Sequence, residues 1–103
     1  MEMRTIIVTR HPGAVAWLQE KGFRGEVVTH LTPDQVNEGD VVVGVLPVHL
    51  VAELKKKKGV RVIILVLPQV PPEKRGQELS PEEMDRFGAR LLEVEELRLK
   101  EVI

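Results

Sequence analysis

Two short stretches concentrate the side chains that could do chemistry: Thr9-Arg10-His11-Pro12-Gly13 and Leu46-Pro47-Val48-His49. Each follows a β-branched run and precedes a helical pattern, so each reads as a strand-to-helix turn. The cap positions, His11 and Leu46, are each followed by a helix-opening proline. Neither supplies the side-chain oxygen with which Ser, Thr, Asp or Asn satisfies first-turn N–H groups. Uncapped N–H groups at the positive end of a helix attract anions. Two such ends side by side suit a ligand with more than one phosphate. Arg10 would pair with phosphate, the Thr9 hydroxyl adds a polar contact, and His11 or His49 could donate or accept a proton. The other two helical starts differ, because Thr32 with Gln35 and Ser80 with Glu83 carry the usual caps.

The elements that must position these turns follow from periodicity. Arg4–Thr9, Glu26–His30, Val41–Val45 and Val60–Leu67 read as strands, with the first, third and fourth apolar on both faces. One helix runs from Pro12 to a stop at Gly22, with Trp17 on its apolar, core or interface side. A second runs from Pro47 to Gly59 and ends in Lys55–Lys58, which suits a helix C-terminus facing solvent. A third starts at Pro81, and Met84, Phe87, Leu91 and Val94 lie on one stripe. That spacing predicts a helix continuing towards the C-terminus, with 93–103 as a helical extension. The sum is an α/β chain: one domain over 1–103 with a small Rossmann-like, three-layer fold and a mostly parallel sheet ordered 2-1-3-4. The switch point then falls between strands 1 and 3, where such folds bind ligands at the carboxyl edge. Both turns lie there, as do all three histidines, His11, His30 and His49. The loop with Lys74-Arg75-Gly76 leaves strand 4 on the same side and can reach over that edge.

Other chemistries are excluded or disfavoured. The absence of cysteine removes thiol nucleophiles, disulfides and zinc–thiolate sites. A net charge of −1 does not suit a protein that coats bulk DNA or RNA. Aromatic residues are 3% of the chain, too few for a base-stacking platform. The longest apolar run is too short to span a membrane, and no signal-peptide pattern is present, so cytoplasmic residence is the expectation. No glycine pattern of the dinucleotide or P-loop kind follows the first strand. No carboxylate is expected beside the histidines, since Asp40 falls at the opposite edge, so no metal-ligand cluster and no cofactor is expected. What remains is a metal-free set of Arg, His and backbone N–H groups suited to phosphodiesters. It could assist an RNA 2′-hydroxyl in attacking its own phosphate by alignment and charge stabilisation.

Several stretches together resemble one family. They are Thr9-Arg10-His11-Pro12-Gly13-Ala14 with Trp17, His30-Leu31, Gly39 through Val48, Arg75-Gly76-Gln77-Glu78-Leu79-Ser80, Met84, and Gly88-Ala89-Arg90-Leu91. The chain up to Leu92 is similar to the small CRISPR-associated Csx-sixteen family found beside type III CRISPR systems. The resemblance implies a fold related to the CARF domains that sense cyclic oligoadenylates. It implies ring nuclease activity: metal-independent cleavage of cyclic tetra-adenylate to linear di-adenylate ending in a 2′,3′-cyclic phosphate, which switches the messenger off. The family often has Asn where this chain has His49, which makes His49 a contact residue rather than the catalyst. The expected catalytic pair is Arg10 and His11. The expected ligand contacts are Thr9, Pro12, Gly13, Gly44, Leu46, Pro47, Val48, His49, Arg75 and Gly76. A two-fold homodimer would place two such edges around one ring, with the tail after Leu92 as a candidate dimer arm. The alternatives are a module that binds the ring without cutting it and an adaptor subunit.

Overall fold

The computed structural model describes residues 4–103. Its elements run β1 (Thr5–Val8), α1 (Pro12–Glu20), β2 (Glu26–Val28), a 3₁₀ turn (Pro33–Gln35), β3 (Val41–Gly44), α2 (Val48–Lys55), β4 (Arg61–Val66), a second 3₁₀ turn (Pro72–Lys74), α3 (Pro81–Arg86) and β5 (Arg90–Val94). The sheet order is β2-β1-β3-β4-β5. The first four strands are parallel, in the expected order, and β5 is antiparallel to β4. Side chains alternate between two cores, as the pleat requires. Ile6, Val8, Val42 and Val62 face α2, while Ile7, Val43, Ile63 and Leu65 face α1 and α3. The three-layer reading therefore holds. No helix among the described residues is long and apolar enough to cross a membrane.

The C-terminal segment differs from the sequence expectation. α3 stops at Arg86, and the expected helix over 93–103 is absent: 93–94 belong to β5 and 95–103 have no regular secondary structure. Gly88, at a φ of 91°, stops the helix. The Gly88 N–H bonds the Asp85 carbonyl at 3.1 Å and the Ala89 N–H bonds the Met84 carbonyl at 2.9 Å, which is the Schellman closure. The apolar stripe is thereby divided, with Leu91 joining the α1/α3 core and Val94 the opposite one. Burying these two side chains is worth roughly 1–2 kcal/mol each, whereas the exposed Arg61–Glu93 pair that also joins β4 to β5 is screened by solvent and contributes little. Apolar burial therefore decides that this segment is a strand.

Polar side chains pin the elements at particular points. Buried Trp17 donates its indole N–H to Asp85 at 2.8 Å, tying α1 to α3. That bond, together with Lys21, holds the Asp85 carboxyl below its ordinary pKa. Part of the lysine run is structural rather than solvated: Lys57 donates to the Val36 carbonyl at 2.6 Å, and Lys55 to that of Val60 at 3.2 Å. At the amino edge, Asp40 is 4% exposed and accepts from Arg4 at 2.9 Å and from the Asn37 N–H at 2.8 Å.

One close backbone approach fixes the switch point. Gly44 is in register with Val8, at a φ of 142°. A Cβ on Gly44 would run into the Val8 carbonyl. Gly44→Ala combines that collision with a disfavoured φ, so urea unfolding should show a loss of about 2 kcal/mol or more. A loss below a few tenths would contradict the constraint.

Asp40 generates a second prediction. Burial disfavours its charged form, but the Asn37 N–H and the Arg4 guanidinium outweigh that and hold the carboxyl below its ordinary value of 3.8. Its stabilising contribution is therefore complete above about pH 4 and is lost as pH falls through the lowered folded-state value. Asp40→Asn should cost about 1–3 kcal/mol at neutral pH, and its deficit against the parent should shrink towards about pH 2. A deficit unchanged between these conditions would contradict this role.

Candidate functional site

The site forms where β1 and β3 end. β1 continues into Thr9, which is 6% exposed and donates its backbone N–H to the Val28 carbonyl at 3.1 Å. The Thr9 hydroxyl accepts the His11 N–H at 3.2 Å, which closes a local turn and aims the chain into α1. His11 is the N-cap residue, with no side-chain cap bond, and Pro12 opens the helix. The Ala14 and Val15 N–H groups both bond the His11 carbonyl, at 3.0 and 3.2 Å.

The expectation of an uncapped α1 is corrected by Glu78. This residue comes back from the long loop after β4, and its carboxylate accepts the Gly13 N–H at 3.1 Å. Its other oxygen lies 3.8 Å from His11 Nδ1. A carboxylate therefore does stand beside a histidine here, because the loop folds over the helix start. Gly13 permits that approach, since a Cβ there would run into the Leu79 carbonyl.

α2 is different. Its N-cap is Pro47, one residue later than the sequence suggested. The Leu50 and Val51 N–H groups bond the Pro47 carbonyl, both at 3.1 Å. The Val48 and His49 N–H groups have no partner among the described residues. One of the two helix ends is therefore filled by the chain itself and the other is open.

Between them lies a cavity of about 670 Å³, within the size range of ordinary ligand sites. Thr9, Arg10 and His11 line it from the first turn, and Leu46, Pro47, His49, Leu50 and Glu53 from the second. Thr29 through Pro33 close a third side, and Leu67 a fourth. All three histidines share this cavity, as their common edge implied. His11, His49 and Arg10 are exposed at its polar rim, while Val8, Leu31 and Leu50 form a buried apolar floor. Arg10 makes no hydrogen bond or ion pair among the described residues, which leaves its fork available to an anion. Among the described residues, no three His, Asp or Glu side chains converge as metal ligands would.

The remaining expected contacts fall elsewhere. Pro12, Gly13, Gly44, Val48, Arg75 and Gly76 do not line this cavity. Gly13 borders a second, smaller one, and Gly44 serves the strand approach described above. Arg75 and Gly76 lie exposed on the loop after β4, where Gly76 makes a turn at a φ of 82°. Sequence reasoning missed Glu53, Leu67 and Glu78. Glu53 was readable, because it follows His49 by one helical turn and so shares its face. Glu78 was not, since only the fold of a long loop brings it to α1.

The arrangement offers a guanidinium, three imidazoles, the Glu53 carboxylate and an apolar floor, with two open amides at the adjoining start of α2. Such a set can hold phosphodiester oxygens at the rim and bases or riboses below, with imidazole available for proton transfer.

Comparison with known proteins agrees with the earlier resemblance at a coarser level. Curated proteins and solved structures gave no match. Residues 6–97 match the model of a family described as "Putative CRISPR-associated protein (Cas_VVA1548)". That span takes in all of the sheet except the first residue of β1, together with both turns of the site, and the chain belongs to this CRISPR-associated family.

Proposed function

We propose that the carboxyl-edge cavity binds a cyclic oligoadenylate, cyclic tetra-adenylate in particular, and that the protein is a ring nuclease of type III CRISPR signalling in the cytoplasm. The observation that carries this reading is the convergence of Arg10 and three histidines on one cavity at the switch point, beside the open start of α2. In this reaction a ribose 2′-oxygen attacks the adjacent phosphorus, and the bond to the 5′-oxygen breaks. The 2′-hydroxyl proton passes to a base, and the leaving 5′-oxygen takes a proton from an acid. The products are linear di-adenylates with 2′,3′-cyclic phosphates, and the messenger is lost. Arg10 and the α2 amides would stabilise charge on the non-bridging oxygens, and His11 would move a proton at the bridging one. No metal is required for these steps. A two-fold homodimer of CARF type would surround the ring from both sides.

One observation favours a second reading, in which the chain binds the ring without cutting it. The side chain of His11 is 68% exposed, and its carboxylate neighbour lies at 3.8 Å, beyond hydrogen-bonding distance. A loosely held imidazole suits a contact as well as a general base.

Single-turnover incubation with labelled cyclic tetra-adenylate in EDTA separates the readings. The expected products carry 2′,3′-cyclic phosphate. Arg10→Ala and His11→Ala are each expected to slow cleavage by about 100-fold, the usual scale for losing a charge stabiliser or proton-transfer group. A tightly bound, intact ring would support the binding module instead. Cleavage only after divalent metal is added would contradict the metal-free route, and no binding would contradict both readings.

A further inference from the structure

We propose that the small cavity beside α1 is a nucleobase subsite for an amino-bearing purine, which is adenine in the reading above, on which this inference rests. The cavity measures about 200 Å³ and borders the large one, since His11 and Leu67 line both. Its walls are apolar: Ala14, Pro68, Val70, Leu79 and Met84. A slot of this size takes a flat fused-ring base and is too small for a whole nucleotide.

Glu78 lines the same slot and supplies its recognition chemistry. One carboxylate oxygen is anchored by the Gly13 N–H at 3.1 Å, which fixes the orientation of the group. The second lies 3.8 Å from His11 Nδ1 and keeps its capacity to accept. An ionised carboxylate only accepts, so over an apolar slot it selects a base edge that donates. The N6 amino group of adenine supplies that donor. A purine without a 6-amino group offers no donor to that second oxygen. With its base in this slot, a nucleotide would pass its phosphate over His11 to Arg10 in the large cavity. The loop over α1 then has a purpose beyond capping, since it forms one wall and carries the selecting group.

Methyl NMR titration of the full chain with adenosine 5′-monophosphate tests this. The Ala14, Val70, Leu79 and Met84 methyl resonances should shift and saturate. The nucleotide of 6-unsubstituted purine should bind about tenfold more weakly, the scale of one charge-assisted hydrogen bond. Glu78→Gln keeps an oxygen for the Gly13 N–H and should narrow that difference. Val70→Trp fills the slot from the loop and should abolish the shifts, with the amide spectrum confirming that each variant folds. Unmoved methyls, or equal affinity for both nucleotides, would overturn the subsite. If cyclic tetra-adenylate binds while these methyls stay still, the subsite is wrong and the ring reading stands. If the mononucleotide moves them and the ring does not bind, the subsite stands and the ring reading falls.

Discussion

The approach of Val8 to Gly44 is the contact on which the site depends. β1 and β3 must run side by side, yet the helices that follow them must leave to opposite faces. The Val45 N–H bonds the Val8 carbonyl at 3.0 Å, one residue past the paired strand ends. No side chain fits at Gly44, so the two backbones stay in contact up to the point of divergence. Beyond it the chains separate, and the gap between them is the cavity. The doubly buried strands help hold this geometry, since Ile6, Ile7, Val42, Val43, Val62 and Ile63 are almost wholly removed from water.

The two helix starts at that gap have opposite states. α1 begins with its Gly13 amide engaged by Glu78, while α2 begins with two amides open. This asymmetry gives the two sides of His11 different chemistry. On the α2 side lie positive dipole, guanidinium and imidazole, which suit phosphate, with the Glu53 carboxylate one turn further along α2. On the Glu78 side lie a carboxylate and an apolar slot, which suit a base. A mononucleotide unit has the same two halves. That match extends the phosphate argument to a nucleotide.

Most of the fold was legible because it is written in local pattern. The β-branched runs, the prolines at helix starts and the Gly22 stop together lead to the parallel order and to the edge shared by the three histidines. The failure at the C-terminus is instructive, because Gly88 makes the same closing turn as Gly22. After Gly22, the Phe23 N–H bonds the Leu18 carbonyl at 2.9 Å, as that of Ala89 bonds Met84. The difference is that Leu91 and Val94 continue the spacing of Met84 and Phe87, so the helical stripe extends past the glycine in the sequence. Strand alternation also accommodates Leu91 and Val94, with the two on opposite faces. The choice depends on the open edge of β4, a non-local demand that periodicity does not contain. Glu78 was hidden for the same reason, whereas the cap at Pro47 was a one-residue boundary shift of the ordinary kind.

The proposed phosphate binding depends on the open end of α2. Its most direct test is amide proton NMR of the chain as cyclic tetra-adenylate is added. Two N–H groups that gain a charged acceptor should move downfield. Such shifts are expected for Val48 and His49, accompanied by changes at Arg10 and His30 and little change at Asp40 on the opposite edge. Ring binding that leaves the Val48 and His49 amides unmoved, or that shifts the Asp40 edge instead, would contradict it.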